Sequence, residues 1–261
     1  MKKTVFMFAM SMMLTLSVVA QQPGYVSDGA LLDGKTIVKA NLTGIALNTY
    51  GFSAERILTK NISLSVGVGV MPAGPFPYIE KIADLADLEE DVRGPLLAGR
   101  INTFSFTPEV RIYTGGGYGK GFYLSPYYKY EKFGLDNFAF DIEVEGGEEE
   151  NITIKGNIDT HAFGLAIGYQ WLLGKNRNII IDWTILGGHY GTSSGLFNGK
   201  FAGEPITGEY REKVEEEFNN ILSDLPIIKA EATINNDNTA DVTVKGPWAF
   251  LRGGVSVGFR F

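Results

Sequence analysis

The chain has 261 residues, a formal net charge of −7, two histidines and no cysteine. The missing cysteine excludes disulfides, thiol catalysis and a lipid-modified N-terminal cysteine, and the acidic balance argues against nucleic acid as a partner. Thirty-three glycines and 12% aromatic residues are high for this length, a combination that suits strands that curve sharply and end in aromatic rings.

Met1-Lys2-Lys3 precedes an apolar run from Thr4 to Val19 that ends on Val18-Val19-Ala20. A basic start, a short apolar stretch and small residues at the end are the parts of a signal peptide, with cleavage expected after Ala20. The run is shorter than the ~20 apolar residues of a bilayer-spanning helix. Removing its two lysines leaves 21 basic and 30 acidic side chains, a formal charge of −9. Beyond it no uninterrupted apolar segment reaches helix-spanning length, so membrane insertion would require strands.

Eight segments then alternate with a period of two, the signature of strands whose faces differ in polarity. Residues 36–46 set Val38, Ala40, Leu42 and Gly44 against Lys39, Asn41 and Thr43, and a second strand is expected near 51–58. After the turn Thr59-Lys60-Asn61, residues 62–71 set Ile62, Leu64, Val66, Val68 and Val70 against Ser63, Ser65, Gly67 and Gly69. The fourth strand, 103–113, sets Phe104, Phe106, Pro108, Val110 and Ile112 against Glu109, Arg111 and their neighbours. A glycine-rich turn at 115–120 leads to the fifth, 121–132, with Phe122, Leu124, Pro126, Tyr128 and Tyr130 on one side and Lys129 and Glu131 on the other. Pro108 and Pro126 lack an N–H for the ladder, so bulges are expected at both. The sixth, 159–172, places Phe163, Leu165, Ile167, Tyr169 and Trp171 outward, with Ala162, Gly164, Ala166 and Gly168 inward, leaving room for a small cavity. The seventh, 179–188, sets Ile179, Ile181, Trp183 and Ile185 against Asp182 and Thr184. In the eighth, 251–261, Leu251, Val255, Val257, Phe259 and Phe261 face away from Arg252 and Arg260.

Between these strands, short turns alternate with long stretches at 72–102, 133–158 and 189–250, as in barrels whose two ends face different compartments. Two of the long stretches contain helical stripes: Ile79, Ile82, Leu85 and Leu88 in 77–92, and Tyr210, Val214, Phe218 and Leu222 in 208–225. They are expected to lie across the barrel mouth or to meet a partner. Residues 227–234 and 240–246 flank Asn235-Asn-Asp-Asn-Thr239 and read as a hairpin reaching beyond the membrane. Asn235, Asp237, Asn238 and Asp241 lack the ligand spacing of a calcium loop and read as a turn.

From the leader, the alternating strands and the terminal Gly-Phe-Arg-Phe261, the mature chain resembles the small outer-membrane β-barrel proteins of Gram-negative bacteria, many of them uncharacterised. The resemblance implies an all-β fold, an eight-stranded antiparallel transmembrane barrel with long extracellular loops containing short helices. It divides the chain into a signal peptide (1–20), an N-terminal periplasmic segment (21–35) and the barrel (36–261). Phe259 and Phe261 then resemble the signal read by the barrel-assembly machinery, and outer-membrane lipid becomes the surroundings.

The inward faces collect Lys39, Glu55, Glu109, Arg111, Lys129, Glu131, Asp182, Arg252 and Arg260, nearly balanced in sign. An eight-stranded barrel is just wide enough for side chains to fill, so these charges are expected to pair as a plug. The leading expectation is a non-enzymatic barrel without cofactor or metal, whose extracellular loops recognise a partner subunit or an external surface. Two alternatives stand beside it. One is a carrier or binder of a small molecule, polar or hydrophobic. The other is a surface hydrolase or acyltransferase, for which His161 and His189 with Ser193 and Ser194 are the candidates; strand parity directs both histidines outward.

Overall fold

In a computed structural model, the described residues are 35–87, 90–144, 148–203, 206–223, 229–235 and 238–261. The expected signal peptide and nearly all of the segment after it lie outside them, as do Leu88 and Asp237. The strands are β1 (Thr36–Asn41), β2 (Tyr50–Ile57), β3 (Ile62–Pro75), β4 (Arg100–Tyr113), β5 (Gly121–Val144), β6 (Glu148–Leu173), β7 (Ile179–Phe201), β8 (Lys229–Ile234) and β9 (Thr239–Arg260). The helices are α1 (Leu42–Ala46), α2 (Ile79–Ala86), α3 (Glu90–Ala98) and α4 (Gly208–Ser223). All strand pairs are antiparallel in the order β1 to β7, then β9, and β9 pairs back to β1 to close a ring of eight. At the seam Thr36 and Phe261 exchange backbone hydrogen bonds of 3.1 and 2.9 Å. Among the described residues no helix is long and apolar enough to cross a membrane.

One end of the ring carries the short turns and is called the turn end; the other is the loop end. The wall is uneven. β1 and β2 have 6 and 8 residues, whereas β5, β6, β7 and β9 have 22 to 26. The expected first strand, 36–46, stops at Asn41 because its side chain turns back to accept from the Gly44 N–H at 2.9 Å and caps α1. Much of the stretch 133–158 is strand, and the segments 240–246 and 251–260 are parts of the one strand β9.

Period two fails once in a way that matters. In β7 Ile185 is an extra residue against both neighbours: Gly168 pairs with Thr184 and Ile167 with Leu186, while β9 pairs across the same step. This bulge shifts the facing of everything after it, so His189 points inward, contrary to the outward placement expected from unbroken alternation. The bulges expected at Pro108 and Pro126 are absent. Register is unchanged across them, with Phe106 opposite Tyr130 and Glu109 opposite Tyr127. Both prolines interrupt the same β4–β5 seam, while β3 holds Pro108 and β6 holds Pro126 on their other sides.

Beyond the ring, the long strands β5, β6, β7, β9 and β8 form a curved sheet with α4 on its inner face. Val214 and Phe218 are buried there against Ile152, Phe197, Ala232 and Val242. The outer edge of β8 is closed by α4 side chains: Asn219 donates to Ala232 O and accepts from its N–H at 3.0 and 2.8 Å, and Glu215 accepts from the Ile234 N–H at 2.9 Å. This removes the hazard of an open strand edge.

The ring's exterior is apolar. Val38, Phe52, Leu64, Val66, Val68, Phe104, Phe106, Phe163, Leu165, Val257 and Phe259 are all exposed. The Tyr169 and Trp171 rings lie 4.6 Å apart near the turn end, and Tyr128, Tyr130 and Tyr190 stand towards the loop end. From Phe122 to Tyr130 the outward face of β5 covers ~27 Å along the strand.

Candidate functional site

The lumen holds a buried ionic cluster to which all eight ring strands contribute. Lys39 of β1 reaches Glu55 of β2 and Asp182 of β7, each at 2.7 Å. Arg111 of β4 reaches Asp182 at 2.6 Å, Glu109 at 2.6 Å and Glu55 at 3.4 Å. Arg252 of β9 reaches the other oxygen of Glu109 at 2.8 Å. Three cations thus face three carboxylates, and the remaining lone pairs are taken up: Ser63 of β3 and Tyr113 donate to Glu55, and Tyr123 of β5 donates to Asp182. Gln170 of β6 accepts from Lys39 and donates to the Gly119 carbonyl at 2.7 Å. A buried ionic group this fully satisfied is tolerable, whereas removing one partner leaves a stranded charge.

Below this layer the turn end is shut by Ile37, Ile57 and Ile180, with Tyr118 packed against them from the 115–120 turn. That glycine-rich turn is folded into the barrel's end. A Cβ at Gly119 would touch Ile57 and Ile37, and one at Gly117, where φ is +79°, would meet the Lys60 carbonyl at 2.6 Å. Arg260 donates to the Tyr118 carbonyl at 3.2 Å. Of the nine inward charges read from the sequence, six form the cluster, Lys129 and Glu131 pair apart from it at 2.8 Å, and Arg260 serves the turn.

Above the cluster the lumen is divided. The small residues of β6 leave no void, contrary to expectation: a Cβ at Gly168 would fall 2.3 Å from the Tyr123 hydroxyl, and one at Gly164 2.4 Å from the Tyr127 ring. The rings of β5 lie over the glycines of β6. Arg111 and Arg252 in turn stack over Tyr123 and Tyr127 at 4.4 and 4.9 Å. The open space is instead a cavity of about 210 Å³ against β2, β3 and β4, lined by Ser53, Ser65, Gly67, Ser105 and Thr107 with Arg252 and Glu109. No neighbour covers Gly67 as the tyrosines cover β6, whereas a Cβ at Gly69 would fall 2.6 Å from the Ser105 hydroxyl; the alternation of β3 already displayed both small residues.

The two histidines are on opposite sides of the wall. His189 is inside, 3.1 Å from the Tyr127 hydroxyl and stacked on Phe250. His161 is outside, 2.5 Å from the Tyr128 hydroxyl, beside Asp159, which accepts from Tyr130 at 2.5 Å. Ser193 donates to the Gly246 carbonyl, Ser194 is exposed, and among the described residues neither histidine is hydrogen-bonded to a serine. Asn235 bonds to Asp241 and Thr239, and Asn238 accepts from the Ile206 N–H, so these side chains serve the turn.

The loop helices differ. In α4 the stripe faces the sheet: Val214 and Phe218 are buried, with Tyr210 and Leu222 packed beside them. In α2 Ala83 is buried, Ile79 is half-buried, and Ile82 and Leu85 are exposed, Leu85 to 90%. The single helix expected over 77–92 breaks at Asp87, whose backbone is left-handed. Phe259 and Phe261 are exposed on the outer wall beside β1.

A family model described as a protein of unknown function (DUF3575) matches residues 5–221. The chain belongs to that family. No curated protein matches it. Among solved structures, the N-terminal β-barrel domain of Pseudomonas aeruginosa OprF is similar at 12% identity, over 87% of this chain and 98% of that one, with a TM-score of 0.29. Acinetobacter baumannii CarO2 is similar at 10% identity over 87% and 98% of the two chains, TM-score 0.35. The outer membrane protease OmpT of Escherichia coli matches at 10% identity over 87% and 93%, TM-score 0.34.

Proposed function

We propose that this DUF3575 chain is a non-conducting outer-membrane barrel whose loop end is a binding surface, with outer-membrane lipid around its wall and the barrel-assembly machinery as its partner during insertion. The buried cluster of Lys39, Glu55, Arg111 and Asp182, backed by Ile37, Ile57 and Ile180, carries this reading. Ion pairs of 2.6–2.7 Å across the lumen, above an apolar floor, support a closed pore, and recognition is assigned to the loop end. The membrane assignment is supported by the exposed apolar wall between aromatic residues at two heights, which fits the height of a tilted membrane strand.

The proposal is also non-enzymatic: each histidine is engaged by a tyrosine, on opposite sides of the wall. Purified protein in planar bilayers is expected to give no steady ion conductance. Stable single-channel steps that persist on neutral substitution of the loops would overturn the reading. A second reading, a binder of a small molecule, is favoured by the 210 Å³ cavity above the cluster, whose serine, threonine, Glu109 and Arg252 lining suits a polar group.

A further inference from the structure

β9 is paired to β1 only over Ser256–Arg260 and to β8 only over Ala240–Lys245. Between these, Gly246 to Val255 have β7 on one side and, among the described residues, no strand on the other. At the foot of the stretch the Val255 N–H is taken by the Thr43 hydroxyl of α1 at 2.9 Å. Pro247, which has no N–H to leave unmet, stands in the unpaired stretch.

Two neighbouring side chains in this stretch are open on opposite faces of the wall. Leu251 points outward and is 79% exposed. Phe250 points inward, one pleat above Arg252, and is still 57% exposed, with Trp248 5.0 Å away and Phe133 beyond it. The Trp248 indole N–H is buried without a partner. The polar cavity below is lined by Arg252 and Gly253, and also by Phe52 and Val68, which places it beside the low rim that the short β1 and β2 leave. Exposed apolar side chains stand beside this rim: Leu42, Ile45 and Leu47 around α1, then Tyr78 and Ile82 at the start of α2, the Tyr78 hydroxyl donating to the Ala46 carbonyl at 2.8 Å.

We propose that this gap is a lateral portal through which the apolar chain of a membrane amphiphile enters the barrel. The chain lies on Phe250 and Trp248, and its polar end rests among Arg252 and the hydroxyls of β2, β3 and β4. A water-soluble ligand entering from the loop end would need neither the exposed Leu251 nor the apolar exterior beside the rim. The occupant follows from continuity with the lipid-facing wall, and the inference rests on the membrane reading above.

The chain has three tryptophans, which makes the test direct. Trp171→Phe/Trp183→Phe leaves Trp248 as the reporter inside the portal, and Trp183→Phe/Trp248→Phe leaves Trp171 on the outer wall. Both are reconstituted in phosphatidylcholine vesicles with brominated acyl chains. Trp171 is expected to lose at least half its emission, and Trp248 likewise, with little quenching of Trp248 by aqueous iodide. Adding Gly253→Phe, where a new Cβ comes no closer than 3.5 Å to any neighbour, is expected to cut the bromolipid quenching of Trp248 at least twofold and to leave Trp171 unchanged. Trp248 quenched by iodide alone, by neither reagent, or equally with and without Gly253→Phe would overturn the portal while the membrane reading stands. An unquenched Trp171 would overturn the membrane reading itself.

Discussion

Glycine in an inward strand position has two meanings in this lumen, and only the neighbouring side chain decides between them. Gly168 exists because Tyr123 lies over it, whereas a would-be Cβ at Gly67 meets nothing closer than the Thr107 carbonyl at 3.7 Å. Gly168→Val must displace the tyrosine and its hydrogen bond to Asp182, and is expected to cost about 1–3 kcal/mol by overpacking. Gly67→Ala is expected to stay within about 0.5 kcal/mol of the parent. Urea unfolding in lipid vesicles, read by loss of the folded species' gel mobility, separates the two. The same measurement applies to Asp182→Ala, which strips Lys39 and Arg111 of their shared carboxylate. A loss of about 3–5 kcal/mol is expected, because three cations are then left against two carboxylates and a buried charge goes uncompensated. Lys39→Met together with Asp182→Asn is expected to cost less than the sum of its parts.

Within the elements, the bulge at Ile185 sets which side of the wall His189 occupies. The extra residue sits opposite an unbroken β6 and an unbroken β9, so deleting Ile185 restores simple alternation without turning any other side chain. The deletion is expected to leave a folded barrel with the same heat-shifted mobility on gels. Deleting Gly188 instead would turn His189 and every later side chain of β7 to the wrong face, and is expected to abolish folding. The period-two pattern up to Thr184 was readable from sequence, and so was the helical stripe of α4. The bulge was not, because Ile185-Leu186 is two apolar residues in a row and either fits an outward position. β8 and the long β9 were half-legible: the hairpin around residue 237 was visible, but its continuity through Pro247 into the closing strand was not, since a proline reads as a break unless its empty edge is known.

At the scale of the whole molecule there are two packed bodies, a ring filled by ions and tyrosines and a sheet-and-helix cap built on the strands that outgrow it. They share strands but not a core: the cap's buried set, with Phe218 and Ile152, is separate from the Ile37, Ile57 and Ile180 floor. Phe218→Ala is expected to remove about 3–5 kcal/mol from the cap. Hydrogen exchange should then rise in α4 and β8 and stay unchanged in β1 to β3; uniform acceleration would show one cooperative unit. Sequence alone determined the all-β barrel, the number of staves in the ring and the inward set of charges, because alternation is a local property and a ring of eight leaves inward groups only one another to pair with. Tertiary structure alone decided which lysine meets which carboxylate, that the cavity lies against β3 and not β6, and that the wall is low beside β1. Each of those depends on strand length, bulges and what the facing stave projects, and none of these is encoded in the residues of a single strand.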